Sequence, residues 1–112
     1  MEIVEERSGD VLALALVGRL DASTARPAEE RLLGAIQAGE RRLVLDLSQL
    51  EYVASVGLRA LITAAKRMKA ANGRIVVCGL SPTLRQVFEI AGFDRIFEAF
   101  PGRAEAVRAQ SA

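Results

Sequence analysis

Apolar residues recur along this chain at two spacings, every second position in some segments and every third or fourth in others. Glu2 to Arg7 and Val11 to Val17 have strand length and flank Ser8-Gly9-Asp10, a turn composition, so together they predict a β-hairpin. In the second of these strands Leu12, Leu14 and Leu16 point one way and Val11, Ala13, Ala15 and Val17 the other. Apolar residues on both faces mark a central strand covered at least partly on both sides. Gly18-Arg19-Leu20-Asp21 reads as a loop. Ser23 or Thr24 is placed to cap a helix that carries Pro27 in its first turn, where a missing N–H is tolerated. Ala28, Leu32, Ala35 and Ile36 keep helical spacing, and Gly39 is a C-terminal stop.

Arg42 to Leu47 predicts a third strand, followed by a loop over Ser48 to Val53. Ser55 opens a helix that runs to about Ala71. Its apolar stripe is Leu58, Leu61, Ile62, Ala65 and Met68, with Arg59, Thr63, Lys66 and Arg67 mostly on the other side. Asn72-Gly73 ends it, and Arg74 to Cys78 is a fourth strand. Ser81-Pro82 is an N-cap with proline at the first helical position, and Leu84, Val87, Phe88 and Ala91 follow at helical spacing. Gly92 suits the left-handed position after that helix, which lets Phe93 fold back onto its last turn. Ile96 to Phe100 predicts a fifth strand and Arg103 to Ala109 a short terminal helix. The order β-β-α-β-α-β-α-β-α predicts a single α/β domain over residues 1–112, a sandwich around a mixed, mostly parallel sheet of about five strands.

Composition narrows the chemistry. Lys plus Arg is 15 and Asp plus Glu is 14, a net charge of +1, which argues against nucleic-acid binding driven by phosphate neutralisation. The chain has no histidine and one cysteine. That removes the commonest general base, the Ser-His-Asp triad, His-ligated metals and Cys-rich zinc sites, so no metal site is expected. No glycine-rich phosphate loop of a known kind is present, and the aspartates are scattered, so neither a cofactor nor an enzymatic activity is expected. Cys78, at the end of an apolar strand, reads as a small buried hydrophobe rather than a nucleophile. The longest apolar run, Val11 to Val17, is strand-length, and the first residues are acidic where a signal peptide is basic. The expectation is a soluble, cytoplasmic domain without membrane insertion.

The most informative stretch runs from Leu45 to Arg59, where a buried strand gives way to an amphipathic helix with Ser55 at the junction and Gly57 in its first turn. Glycine costs a helix about 1 kcal/mol relative to alanine, so a close approach is expected there, by a partner or by a neighbouring element. The purely structural alternative makes Ser55 an N-cap and gives Gly57 no role. The functional alternative makes Ser55 a phosphorylation switch. A phosphate adds roughly −1.5 to −2 charges, which a helix N-terminus tolerates but a closely packed partner does not.

Leu45-Asp46-Leu47-Ser48 through Val53-Ala54-Ser55-Val56-Gly57-Leu58 resembles the signature of STAS domains, in particular bacterial anti-sigma factor antagonists. Gly18-Arg19-Leu20-Asp21-Ala22-Ser23-Thr24 is similar to the family's loop after the second strand, and Ala91 to Phe97 to its loop into the last strand. The resemblance covers nearly the whole chain. It implies a STAS-like sandwich with helices packed mainly on one face, and a length that fits a stand-alone antagonist. It also implies that Ser55 is phosphorylated by an anti-sigma factor that is a GHKL-type serine kinase, and dephosphorylated by a PP2C-type phosphatase. The unphosphorylated protein would bind that kinase and release its client. Asp21, Ser23 and Thr24 would lie on the docking surface, lined also by Ala54, Val56, Gly57, Leu58 and Arg59. ATP and Mg²⁺ would belong to the kinase. The family pattern has Asp before the serine and often a Ser or Thr after it; this chain has Ala54 and Val56. The alternative within the family, which Ala54 favours, is a constitutive STAS subunit of a lipid-transport ATPase complex or a signalling assembly. The oligomeric state is left open.

Overall fold

The structure, a computed structural model, describes residues 1–111. Glu2–Ser8 (β1) and Val11–Leu20 (β2) form the antiparallel hairpin, with Glu2 opposite Val17 and Ser8 opposite Val11. Ala25–Gln37 (α1), Arg42–Asp46 (β3), Leu50–Val53 (β4), Ser55–Ala70 (α2), Arg74–Cys78 (β5), Pro82–Ile90 (α3), Glu98–Phe100 (β6) and Arg103–Ser111 (α4) follow. The sheet has six strands in the order β1-β2-β3-β5-β6, and β4 pairs with the far end of β2. Every pairing after the hairpin is parallel.

The strand alternation divides the interior in two. Leu12, Leu14 and Leu16 of β2, Leu43 and Leu45 of β3, and Ile75 and Val77 of β5 join the larger core with α1, α2 and α3. Val11, Ala13, Val44, Val76 and Cys78 face the other way and are covered by Ala106 of α4. Polar contacts fix α4 on that face. Arg103 bonds to Asp46 of β3 at 3.0 Å and to Glu6 of β1 at 2.9 Å. The buried amide of Gln110 donates to the carbonyls of Leu43 (2.8 Å) and Arg74 (2.7 Å).

Two boundaries differ from the sequence-based expectation for a shared reason. β2 runs on to Leu20 instead of ending at Val17, and Leu50–Val53 is a strand instead of part of a loop. Each exists by pairing with the other: Leu20 lies opposite Val53 and Arg19 opposite Tyr52. Gly18, which reads as a turn residue, sits in the left-handed region (φ +107°) at a register shift within the ladder. The last strand is also shorter than expected. A 3-10 turn at Phe93–Arg95 comes first, and the N–H groups of Ile96 and Phe97 bond back to the Phe93 carbonyl at 2.9 and 2.8 Å. The turn gathers Phe88, Phe93 and Phe97, with ring centroids 5.2 Å apart for the edge-on Phe88–Phe93 pair.

Candidate functional site

The β2–β4 pairing delivers the chain to the head of α2. One residue past the Leu20–Val53 pair, the Ala54 N–H donates to the Leu20 carbonyl at 2.9 Å. Ala54 keeps extended backbone angles (φ −91°, ψ 168°) and takes the N-cap position, and its carbonyl accepts from the Leu58 N–H at 3.0 Å. Ser55 is therefore the first helical residue, not the cap: a cap must still be extended, and the ladder holds Ala54 in that state. Alanine offers no side-chain bond to the first-turn N–H groups, so the head of α2 keeps donors and the positive end of the helix dipole free for an acceptor. Ser55 itself is exposed.

Gly57 answers the question its position raises. It is buried, and a Cβ there would lie 2.6 Å from Leu20 Cγ, 2.9 Å from the Leu20 carbonyl oxygen and 3.0 Å from Leu20 Cδ2. The close approach is made by the protein's own β2. Gly57 thus sets how near the head of α2 stands to the sheet, and with it the height of Ser55. Val56 and Leu58 are half-buried, and Leu58 packs against the larger core; Arg59, one turn below Ser55, is exposed.

The loop after β2 is knit by short-range bonds. The Asp21 carboxylate accepts from the Ser23 hydroxyl at 2.7 Å and the Ser23 N–H at 3.0 Å. Thr24 occupies the N-cap position of α1, yet its hydroxyl does not cap that helix. It donates to the Arg19 carbonyl at 2.8 Å and accepts from the Asp21 N–H at 2.9 Å, ties that brace the loop against the end of β2. Ser23, the other expected cap, is exposed and bonded to Asp21. Hydrogen bonds from the Ser23 hydroxyl and N–H, with Thr24 and Arg19 adding, hold the Asp21 carboxyl below the usual carboxylate range. Asp21 is therefore a fixed anion on the rim that Ala54 and Ser55 enter.

Two further residues stand on this rim that sequence reasoning does not single out. The Arg19 guanidinium lies 4.4 Å from the centroid of the Tyr52 ring, and its Nε is 3.8 Å from Asp21. The only signal in the sequence is the chain's one tyrosine, Tyr52, within a stretch that reads as loop.

Elsewhere, among the described residues, no buried side-chain nitrogen or oxygen lacks a hydrogen-bond partner. Burial raises the Asp46 carboxyl, but bonds from Ser48 and Arg103 outweigh it and hold the group below the usual range. Burial, with nearby Asp46, pushes the Cys78 thiol up to about 11, far from the thiolate a nucleophile needs. On α2, Arg59, Lys66, Arg67 and Lys69 are exposed, and Lys66 and Lys69 line an open cleft of about 370 Å³ beside β5. Among the described residues no cluster of three or more His, Cys, Asp or Glu is placed to hold a metal, and no helix is long and apolar enough to cross a membrane.

Comparison with known proteins bears on this geometry. The model of the STAS domain family matches residues 2–106. A protein of Bordetella bronchiseptica, BtrV, provisionally named an anti-sigma factor antagonist, is 37% identical over 109 residues, covering 97% of this chain and 94% of its own. The anti-sigma-B factor antagonist of Listeria monocytogenes is 32% identical over 96 residues, 85% of this chain and 83% of its own. A Thermotoga maritima crystal structure, provisionally described as an anti-sigma factor antagonist, superposes with a TM-score of 0.93. It covers 98% of this chain and 95% of its own at 18% identity, a match of fold.

Proposed function

Because this chain belongs to the STAS domain family, we propose that it is an anti-sigma factor antagonist whose docking to an anti-sigma factor is governed by phosphorylation of Ser55. The observation that carries this reading is the placement of that hydroxyl. It is exposed, on the first residue of α2, where the cap is an alanine and the first-turn N–H groups are free. The names carried by relatives at 37% and 32% identity support the same direction.

The switch works by charge on an unchanged scaffold. Unphosphorylated, the rim of Asp21, Ser23, Thr24, Ala54, Ser55, Val56, Leu58 and Arg59 packs against the anti-sigma factor, with Gly57 fixing the height of the helix. A phosphate on Ser55 adds roughly −1.5 to −2 charges. On its own side it meets the helix N-terminus and Arg59 at i+4, so the fold accepts it. On the partner's side it must be desolvated against a close-fitting surface, and every 1.4 kcal/mol of that cost is about a factor of ten in affinity. The partner is a GHKL-type serine kinase that supplies ATP and Mg²⁺, and a PP2C-type phosphatase restores the hydroxyl. This chain acts by binding, not by catalysis.

The test is to incubate the protein with the GHKL-type kinase of its organism and ATP, then map the modification by mass spectrometry. A single phosphate on Ser55, absent from Ser55→Ala, is expected, together with loss of kinase binding by Ser55→Asp at unchanged circular dichroism. Label at another residue, or undiminished labelling of Ser55→Ala, would refute the assignment. A constitutive subunit would bind its assembly equally well as wild type and as Ser55→Asp.

A further inference from the structure

The second face of the sheet is covered unevenly. α4 closes it over Val11, Ala13, Val44, Val76 and Cys78. The β2–β4 ribbon that leads to Ser55 extends outside that cluster, and there the register partners Arg19 and Tyr52 are both exposed, the Arg19 side chain by 60% and Tyr52 by 43%. The core does not require them, because the next pair, Leu20 and Val53, is buried and completes it.

Exposed arginines ordinarily sample many rotamers. This one is steadied at two points, by the Tyr52 ring at 4.4 Å and by the Asp21 carboxylate at 3.8 Å from its Nε. Asp21 is in turn fixed by Ser23 and Thr24. The register shift here leaves Glu51 as the extra residue on β4 and sets Tyr52 directly opposite Arg19. At 3.8 Å the Asp21 contact is electrostatic and too long for a hydrogen bond. The guanidinium edge therefore keeps its donors in the paired geometry that suits a carboxylate. Holding the group beforehand lowers the ordering cost when a ligand arrives.

We propose that Arg19, stacked on Tyr52 and steadied by Asp21, is a specificity-determining residue of the docking surface and receives a carboxylate side chain of the anti-sigma factor. The inference rests on the reading of this chain as an antagonist. Tyr52 is a positioning residue, acting through the guanidinium it holds.

The probe is the anti-sigma factor of the same organism that binds the wild-type chain, titrated by calorimetry at several salt concentrations. Arg19→Ala weakens binding by about ten-fold or more and flattens its salt dependence, and Arg19→Glu weakens it further. Tyr52→Phe binds as wild type, whereas Tyr52→Ala loses affinity with its circular dichroism intact. Changing one Asp or Glu of the anti-sigma factor to Arg restores binding to Arg19→Glu. If Arg19→Glu binds at wild-type strength and salt dependence while Ser55→Asp has lost binding, the role of Arg19 is overturned and the Ser55 reading stands. If Arg19→Glu is weak but no charge reversal on the partner restores it, the carboxylate assignment fails. If no anti-sigma factor binds the wild-type chain, both proposals fall.

Discussion

Replacing Gly57 with alanine sets two effects against each other. In an open helix the change stabilises by up to about 1 kcal/mol, through helix propensity and a less flexible unfolded chain. Here the new methyl carbon would stand 2.6 Å from Leu20 Cγ and 2.9 Å from the Leu20 carbonyl oxygen. Ordinary contacts between carbon atoms begin near 3.5 Å, so a displacement of roughly an ångström is required. Leu20 is fully buried, and its carbonyl already accepts the Ala54 N–H at 2.9 Å. Either α2 withdraws and stretches that bond or Leu20 leaves its rotamer. Overpacking of this kind costs about 1–3 kcal/mol, and a weakened hydrogen bond adds about 1. Less the propensity gain, Gly57→Ala should destabilise by about 1–3 kcal/mol, a fall in Tm of roughly 4 °C for each kcal/mol. Gly34, exposed in α1, is the internal control, because a Cβ there meets nothing within 4 Å. Gly34→Ala should raise the Tm by a few degrees. Urea and thermal denaturation of the two variants measure both signs. If Gly57→Ala is as stable as wild type, or the two variants shift the same way, the packing argument at the head of α2 is wrong.

Three more predictions concern the α4 side of the sheet. Gln110→Ala leaves the carbonyls of Leu43 and Arg74 without their buried donor and should cost about 2 kcal/mol in guanidinium denaturation; a wild-type midpoint would refute this. The Asp46 carboxyl is depressed in the folded state, so its contribution is present above its unfolded pKa of about 3.9 and is lost as the pH falls toward the lower folded value. Asp46→Asn should therefore show a shallower loss of stability on acidification than wild type, and an identical acid limb would count against the Asp46–Arg103 linkage. With its thiol pushed up to about 11 and buried, Cys78 should resist a thiol-specific reagent at about pH 8 until the protein is unfolded. Rapid labelling of the native protein would contradict this.

What could be read from the sequence follows the range over which its signals act. Leu43 and Leu45, or Leu84, Val87 and Phe88, announce strand and helix within a few residues of themselves, and those elements lie where the periodicity puts them. The glycine at 92 and the Asn72-Gly73 pair mark helix ends by backbone conformation, equally local, and both Gly92 and Asn72 have positive φ. β4 has four residues with buried Leu50 and Val53 around exposed Glu51 and Tyr52, a pattern without strict alternation. Its strand character comes from the end of β2, some 30 residues earlier by sequence number. The same distance hides Arg19 and Tyr52, which become a pair only once the ladder forms. Of three capping readings, Ser81 held, its hydroxyl accepting from the Leu84 N–H at 3.1 Å. The other two failed by competition, because the Thr24 hydroxyl is taken by the Arg19 carbonyl and the ladder at Leu20 moves the cap of α2 back to Ala54. Ser55 could be singled out by its place at a strand–helix junction, and the resemblance to known domains chose the switch over the structural alternative; its exposure and the Leu20 contact of Gly57 needed the fold.

The placement of α4 carries a consequence for biosynthesis. α4 is made after the six strands, so for an interval during synthesis the second face of the sheet lacks its cover. In that interval Val44, Val76 and Cys78 form a naked apolar strip, the kind of surface that chaperones grip and that partly folded chains use to aggregate. A chain cut before Arg103 would leave this strip bare and lose the Arg103 and Gln110 ties, so it should be prone to aggregation and proteolytic triage.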